Sequence, residues 1–140
     1  MAYRLAPHVA GELGDGTAFD PRRPPPVVTA VEYMLDSPDV DDLIESFPVF
    51  LVSALLAEHL EAKHLGGFAL GHATVRPSSE YIACYGCAPH ADFRWLRLGD
   101  ASRRSDAWLD REHHLCVSDA MMEVLREFRL DRCDIQRLPN

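Results

Sequence analysis

The apolar and polar positions of this chain follow a pattern that occurs twice. Phe50-Leu51-Val52 is a continuous apolar run that ends at Ser53. Residues 54–65 then space apolar side chains as a helix does, with Leu55, Leu56 and Leu60 on the buried side and Glu58, Glu61 and Lys63 facing out. Sixty-five residues later Leu115-Cys116-Val117 ends at Ser118, and Met121, Met122, Leu125 and Phe128 form the stripe of a second helix. Laid over each other at that offset, Val52 meets Val117, Ser53 meets Ser118, Glu58 meets Glu123, Leu60 meets Leu125, Leu65 meets Leu130 and Leu70 meets Ile135. Each Ser stands where the first free N–H groups of a helix need an acceptor. The pattern predicts an internal duplication over residues 49–75 and 113–138. Each copy is a strand, a Ser-capped helix and a short return strand, and Gly66-Gly67 turns the first copy back.

Weaker signals place the remaining elements. Ala2-Tyr3-Arg4-Leu5-Ala6 alternates as a first strand does, and residues 7–26 read as a loop ending in the stiff Arg22-Arg23-Pro24-Pro25-Pro26. Gly11, Gly14 and Gly16 do not make a phosphate loop, because Glu12 and Asp15 lie among them. Val27 to Leu35 is rich in β-branched and aromatic residues and predicts one strand with Val27, Thr29, Val31 and Tyr33 on one face. Residues 37–47 predict a short acidic helix. Ser37 caps it, Pro38 takes its first position, Val40, Leu43, Ile44 and Phe47 form its stripe, and Pro48 stops it. Residues 68–75 and 81–85 predict a hairpin turning at Arg76-Pro77-Ser78-Ser79-Glu80, and Phe93 and Trp95 alternate in a strand through Leu98. The sum is an α+β fold. It is a single domain over residues 1–140, with a mainly antiparallel sheet, two Ser-capped helices from the duplication and one short acidic helix.

Charge narrows the class of partner. Acids outnumber bases 22 to 14, which disfavours nucleic acid and anionic membranes. From Pro24 to Glu61 the acids are Glu32, Asp36, Asp39, Asp41, Asp42, Glu45, Glu58 and Glu61, with no Lys or Arg, so this region carries the whole surplus. A basic protein is the complementary partner. Asp36, Asp39, Asp41, Asp42 and Glu45 are the expected contact residues, with a homo-oligomer left open. No apolar run reaches the roughly 20 residues of a membrane span, and no secretory leader is legible. With four cysteines and an ample apolar content, the chain reads as a reduced, cytoplasmic protein.

Three constellations invite chemistry. Cys84 and Cys87, with His90 three residues further on and Cys116 or His114 to close the shell, have the donors for zinc; against this, no second compact Cys/His pair follows, and buried or incidental cysteines are the simpler reading. His113-His114 beside Asp110 and Glu112 suggests acid–base work, yet neighbours on a strand point to opposite faces, so at most one serves any site. Ser53 and Ser118 are helix caps and sit in no nucleophile elbow. No catalytic residue and no cofactor is expected, with zinc as the alternative. A small biosynthetic or tailoring enzyme would need a pocket around His90, His113 or His114.

Asp41-Asp42-Leu43-Ile44-Glu45, Phe50-Leu51-Val52-Ser53, Leu65-Gly66-Gly67-Phe68, Trp95-Leu96 and Leu115-Cys116-Val117-Ser118 together resemble motifs of bacterial immunity proteins of polymorphic-toxin systems. The resemblance spans residues 27–137. It implies a non-catalytic protein that neutralises a toxin by binding it. The alternatives are a zinc-binding accessory or regulatory protein and the small enzyme.

Overall fold

Two sheets of one design, each carrying a helix, form the body of the computed structural model, which describes residues 2–20, 27–86, 92–98 and 105–139. In chain order the elements begin with β1 (Ala2–Ala6), β2 (Gly11–Leu13), β3 (Ala18–Asp20), β4 (Val27–Ala30) and β5 (Glu32–Leu35). The first repeat follows as β6 (Leu43–Ser46), β7 (Val49–Ser53), α1 (Ala54–Ala62) and β8 (Phe68–His72). Next come β9 (Thr74–Pro77), α2 (Ser79–Tyr85) and β10 (Phe93–Leu98). The second repeat is β11 (Ala107–Leu109), β12 (Leu115–Ser118), α3 (Asp119–Leu125) and β13 (Asp134–Leu138).

The first sheet has the order β6-β7-β10-β8 and the second β11-β12-β1-β13, all antiparallel. In both, a hairpin leads into the helix and the return strand becomes an edge. A strand from elsewhere fills the gap, β10 in the first sheet and the N-terminal β1 in the second. The registers agree residue by residue. Trp95 sits between Leu51 and Gly71, and its counterpart Arg4 sits between Cys116 and Gln136. The predicted caps are present: Ser53 Oγ accepts from Leu56 N at 3.3 Å and Ser118 Oγ from Met121 N at 3.2 Å. A cap of this kind contributes about 1 kcal/mol.

Both sheets and both helices share one core. Leu43, Phe50, Val52 and Leu96 of the first sheet meet Leu5, Leu115 and Val117 of the second around Leu56, Leu60, Met121 and Leu125. The opposite face of the first sheet, with Ile44, Val49, Leu51, Phe93 and Trp95, is buried by Tyr33, Leu35, Val75 and Tyr81. Tyr33, Leu35 and Val75 belong to a covering sheet of order β2-β5-β9, in which β5 and β9 run parallel, and Tyr81 belongs to α2.

A reciprocal pair of aspartates fastens one half to the other. Asp42, just before β6, donates its N–H to Arg129 O at 3.0 Å, and its Oδ2 accepts from Arg129 N at 2.7 Å. Asp106, just before β11, donates its N–H to Gly66 O at 2.8 Å, and its Oδ2 accepts from Gly66 N at 2.8 Å. Each aspartate thus brackets the turn that leaves the helix of the opposite repeat. Each also accepts the capping serine's N–H of its own repeat: Ser53 N to Asp42 O at 2.8 Å, and Ser118 N to Asp106 O at 2.9 Å. Asp106 Oδ1 takes the Ser118 hydroxyl besides, at 2.6 Å. The turn at Gly67 has a φ of +87°, and a Cβ there would lie 2.4 Å from that of Ser105, so both the conformation and the close approach require glycine.

Several expectations are corrected. Residues 37–47 form no helix. Leu43 and Ile44, adjacent in sequence, are both fully buried in different cores, which a strand between two layers permits and an amphipathic helix does not. Asp41, expected in solvent, is buried, Phe47 is exposed, and Ser37 Oγ accepts from Asp39 N in a local turn instead of capping. Residues 79–85 form α2 rather than a strand, because Ser78 Oγ accepts from Tyr81 N and Glu80 lies in the first turn. The single strand from Val27 to Leu35 is broken at Val31, with Val28 buried and Thr29 exposed. The loop of residues 7–26 contains β2 and β3, and Leu55 is exposed where Ala57 is buried.

Asp106→Ala removes two charged acceptors, leaving Gly66 N and the Ser118 hydroxyl without their partner. Urea unfolding should show a loss of about 2–3 kcal/mol, against about 1–2 kcal/mol for Asp42→Ala, whose bond to Arg129 N is exposed. Equal, negligible losses would show that the aspartates do not join the halves.

Candidate functional site

Asp39, Asp41 and Asp42, three of the five acids expected to meet a partner, bond within the chain to the segment after α3. Asp39 pairs with Arg129 at 2.6 Å and Arg132 at 3.1 Å, and the Arg129 hydrogen bond is the chief reason its carboxyl lies below the ordinary range. Asp41 accepts from Arg132 N at 2.8 Å and lies 3.7 Å from Arg129 Nε. Asp42 is held by Arg129 N, as described. Asp36 is half-buried and donates its N–H to Ala10 O at 2.9 Å. Glu45 is half-buried with its carboxyl pushed up by burial, an effect opposed by His114. Arg129 and Arg132 therefore offset much of the charge that the sequence concentrates there. Nothing local marks them as partners, since Asp41 and Arg132 stand 91 residues apart.

A second acidic surface lies on the repeat helices, with Arg94 and Lys63 near it. α1 and α3 pack side by side, and Glu58, Glu61, Glu123 and Glu127 all point outward from the pair. None of the four makes an ion pair or a side-chain hydrogen bond with another described residue. Glu58 and Glu123 are the matched positions of the duplication, so each repeat helix carries an exposed carboxylate at the same place. Between the helices lies a shallow cavity of about 170 Å³ lined by Lys63, Leu65, Glu123, Val124 and Glu127.

Among the described residues the cysteines and histidines form no metal-binding group. Cys84 is exposed on α2, while Cys87 and His90 lie outside the described residues. Cys116 is buried on β12, and among the described residues no three His, Cys, Asp or Glu are grouped as a metal ion requires. His113, with a φ of +66°, lies against Phe47, ring centroids 5.7 Å apart, and His114 lies against Asp110; both precede β12, so the alternation of strand neighbours does not govern them.

Around Asp110 a polar set occupies the outer face of the second sheet. Its Oδ1 accepts from the N–H groups of Glu112 and His114, both at 2.9 Å, and its Oδ2 takes Arg4 Nε at 3.1 Å and lies 3.5 Å from His114 Nδ1. Burial alone would raise this carboxyl, but those two N–H bonds leave it below its ordinary value. Arg4, His114 and Gln136 border a cavity of about 250 Å³. Burial first, and the Asp110 charge second, push the Cys116 thiol up, so the face sets His114 beside Asp110 without an activated nucleophile. The first sheet carries Trp95 in the place of Arg4 and Leu51 in the place of Cys116, and covers both.

Compared with protein-family models, curated proteins and solved structures, the chain matches none. No helix among the described residues is long and apolar enough to cross a membrane.

Glu45 supplies a pH test. The folded chain holds its proton more tightly than an unfolded chain does, so its contribution is intact below the ordinary value of 4.5 and is lost as the pH rises through the folded value. Glu45→Gln should raise Tm near neutral pH and leave it almost unchanged at about pH 4. The same shift at both would show that the carboxyl pays no burial penalty.

Proposed function

We propose that the protein is a non-catalytic binding module of the immunity type, which neutralises a basic protein partner, and that the face of α1 and α3 is its principal acidic contact. The carrying observation is the difference in how the two groups of acids are used. Asp39, Asp41 and Asp42 are engaged with Arg129 and Arg132, whereas Glu58, Glu61, Glu123 and Glu127 have no ion-pair partner among the described residues. Asp36 and Glu45 are half-buried and lie away from that face in the chain. Carboxylates without ion-pair partners on a pair of packed helices steer a positive partner and set its orientation, while the half-buried Leu65 at the cavity between them provides apolar area to bury. A reduced, cytoplasmic setting fits this reading. Zinc at Cys84 and Cys87 remains a separate reading that rests on residues outside those described.

The test begins with native mass spectrometry of the chain purified from its own cells without chelator, which identifies a bound basic protein or a zinc ion. With the partner in hand, Glu58→Lys combined with Glu123→Lys should slow association by about tenfold or more at low salt and flatten its salt dependence. Asp39→Asn, at the internally paired cluster, should change association little. An unchanged rate and salt slope in the double variant would refute the assignment of the helix face.

A further inference from the structure

The first sheet and the covering sheet part at one corner. A slot of about 350 Å³ opens there between Gly71, His72, Trp95 and Arg97 on one side and Glu32 and Arg76 on the other. That volume falls within the roughly 300–1,000 Å³ of small-molecule sites. The Arg97 guanidinium lies over the Trp95 ring, 4.7 Å from its centroid, and has no carboxylate partner among the described residues. Across the slot Arg76 Nε donates to Glu32 Oε2 at 3.0 Å, and Glu32 Oε1 accepts from Gly16 N at 3.1 Å. Glu32 is thereby engaged on both oxygens, while the terminal nitrogens of Arg76 stay available.

Two guanidinium groups and one carboxylate leave a single positive charge in excess, an island in a chain of net charge −8. Gly71 keeps the slot open, because a Cβ there would lie 3.3 Å from Arg97 Cδ and 3.6 Å from Trp95 Cε3. The duplication provides the contrast. At the matching place in the second sheet stands Gln136, which has a side chain where Gly71 has none and accepts from Arg4 at 3.4 Å.

We propose that this slot binds a small organic monocarboxylate. The ligand's carboxylate sits between Arg97 and Arg76, and its apolar body lies along Trp95 and the bare backbone at Gly71. The planar fork of a guanidinium matches a carboxylate, and one net charge suits a monoanion better than a phosphate dianion. This site is separate from the helix face and does not depend on it.

Calorimetric titration of the whole chain with hexanoate, and in parallel with inorganic phosphate, tests the assignment. Saturable heat is expected with hexanoate and none with phosphate. Arg97→Gln, at an exposed side chain, should weaken hexanoate at least about tenfold, and Gly71→Leu should abolish its binding while thermal melting confirms the fold. A Gly71→Leu chain that fails to fold leaves the decision with Arg97→Gln. Absence of saturation in the unaltered chain, equal binding of phosphate, or unchanged affinity in Arg97→Gln would each overturn the proposal.

Discussion

The reciprocal hold of Asp42 and Asp106 on the turns opposite them is the constraint on which the rest of the structure rests. The shared apolar core draws the two sheets together, but burial is non-directional and fixes no register between them. Hydrogen bonds from a charged carboxylate to a particular N–H do fix one. Because each aspartate also receives the capping serine's N–H of its own repeat, helix start, hairpin start and opposite turn are located by a single residue. The same arrangement sets Arg129 and Arg132 beside Asp39 and Asp41 and lays α1 against α3.

Duplication supplied two like scaffolds, and their outer faces then diverged. The face of the first sheet is apolar at Ile44, Leu51, Phe93 and Trp95 and lies under the covering sheet. The face of the second bears Trp108, Cys116, Ala2 and Arg4 at those positions, with Asp110 gathering Arg4 and His114. One repeat thus spends its outer face on stability, and the other keeps a mixed face on which Asp110 bonds to Arg4 and to the backbone of Glu112 and His114. A scaffold that is half buried and half polar can tolerate change at the polar face without loss of its core.

The duplication was legible because its signals are local: an apolar run, a serine and a helical stripe recur at one offset. The central strands were only half legible. β1 and β10 read as strands, but nothing nearby in sequence says that they enter equivalent places in two sheets. The segment 37–47 misled because Val40, Leu43, Ile44 and Phe47 satisfy helical spacing, while burial of the adjacent pair Leu43 and Ile44 between two cores suits only a strand. The α2 signal was present in Ser78-Ser79-Glu80, which serves equally as a turn. At the candidate sites the carboxylates themselves were legible, but their state was not. Which acids are engaged depends on arginines far along the chain, and the slot at Gly71 depends on two layers meeting imperfectly.

β1 completes the second sheet, pairing with β12 and β13 from the far end of the chain. During synthesis this strand emerges well before both of its partners and waits until β12 and β13 have followed. The first sheet draws its strands from Leu43 to Leu98 and can close while the second repeat is still emerging. Late joining of distant segments is the slow part of folding, since loop closure must precede the contacts that reward it. The first sheet is therefore built to form ahead of the second, in which β1, β12 and β13 meet last as adjacent strands.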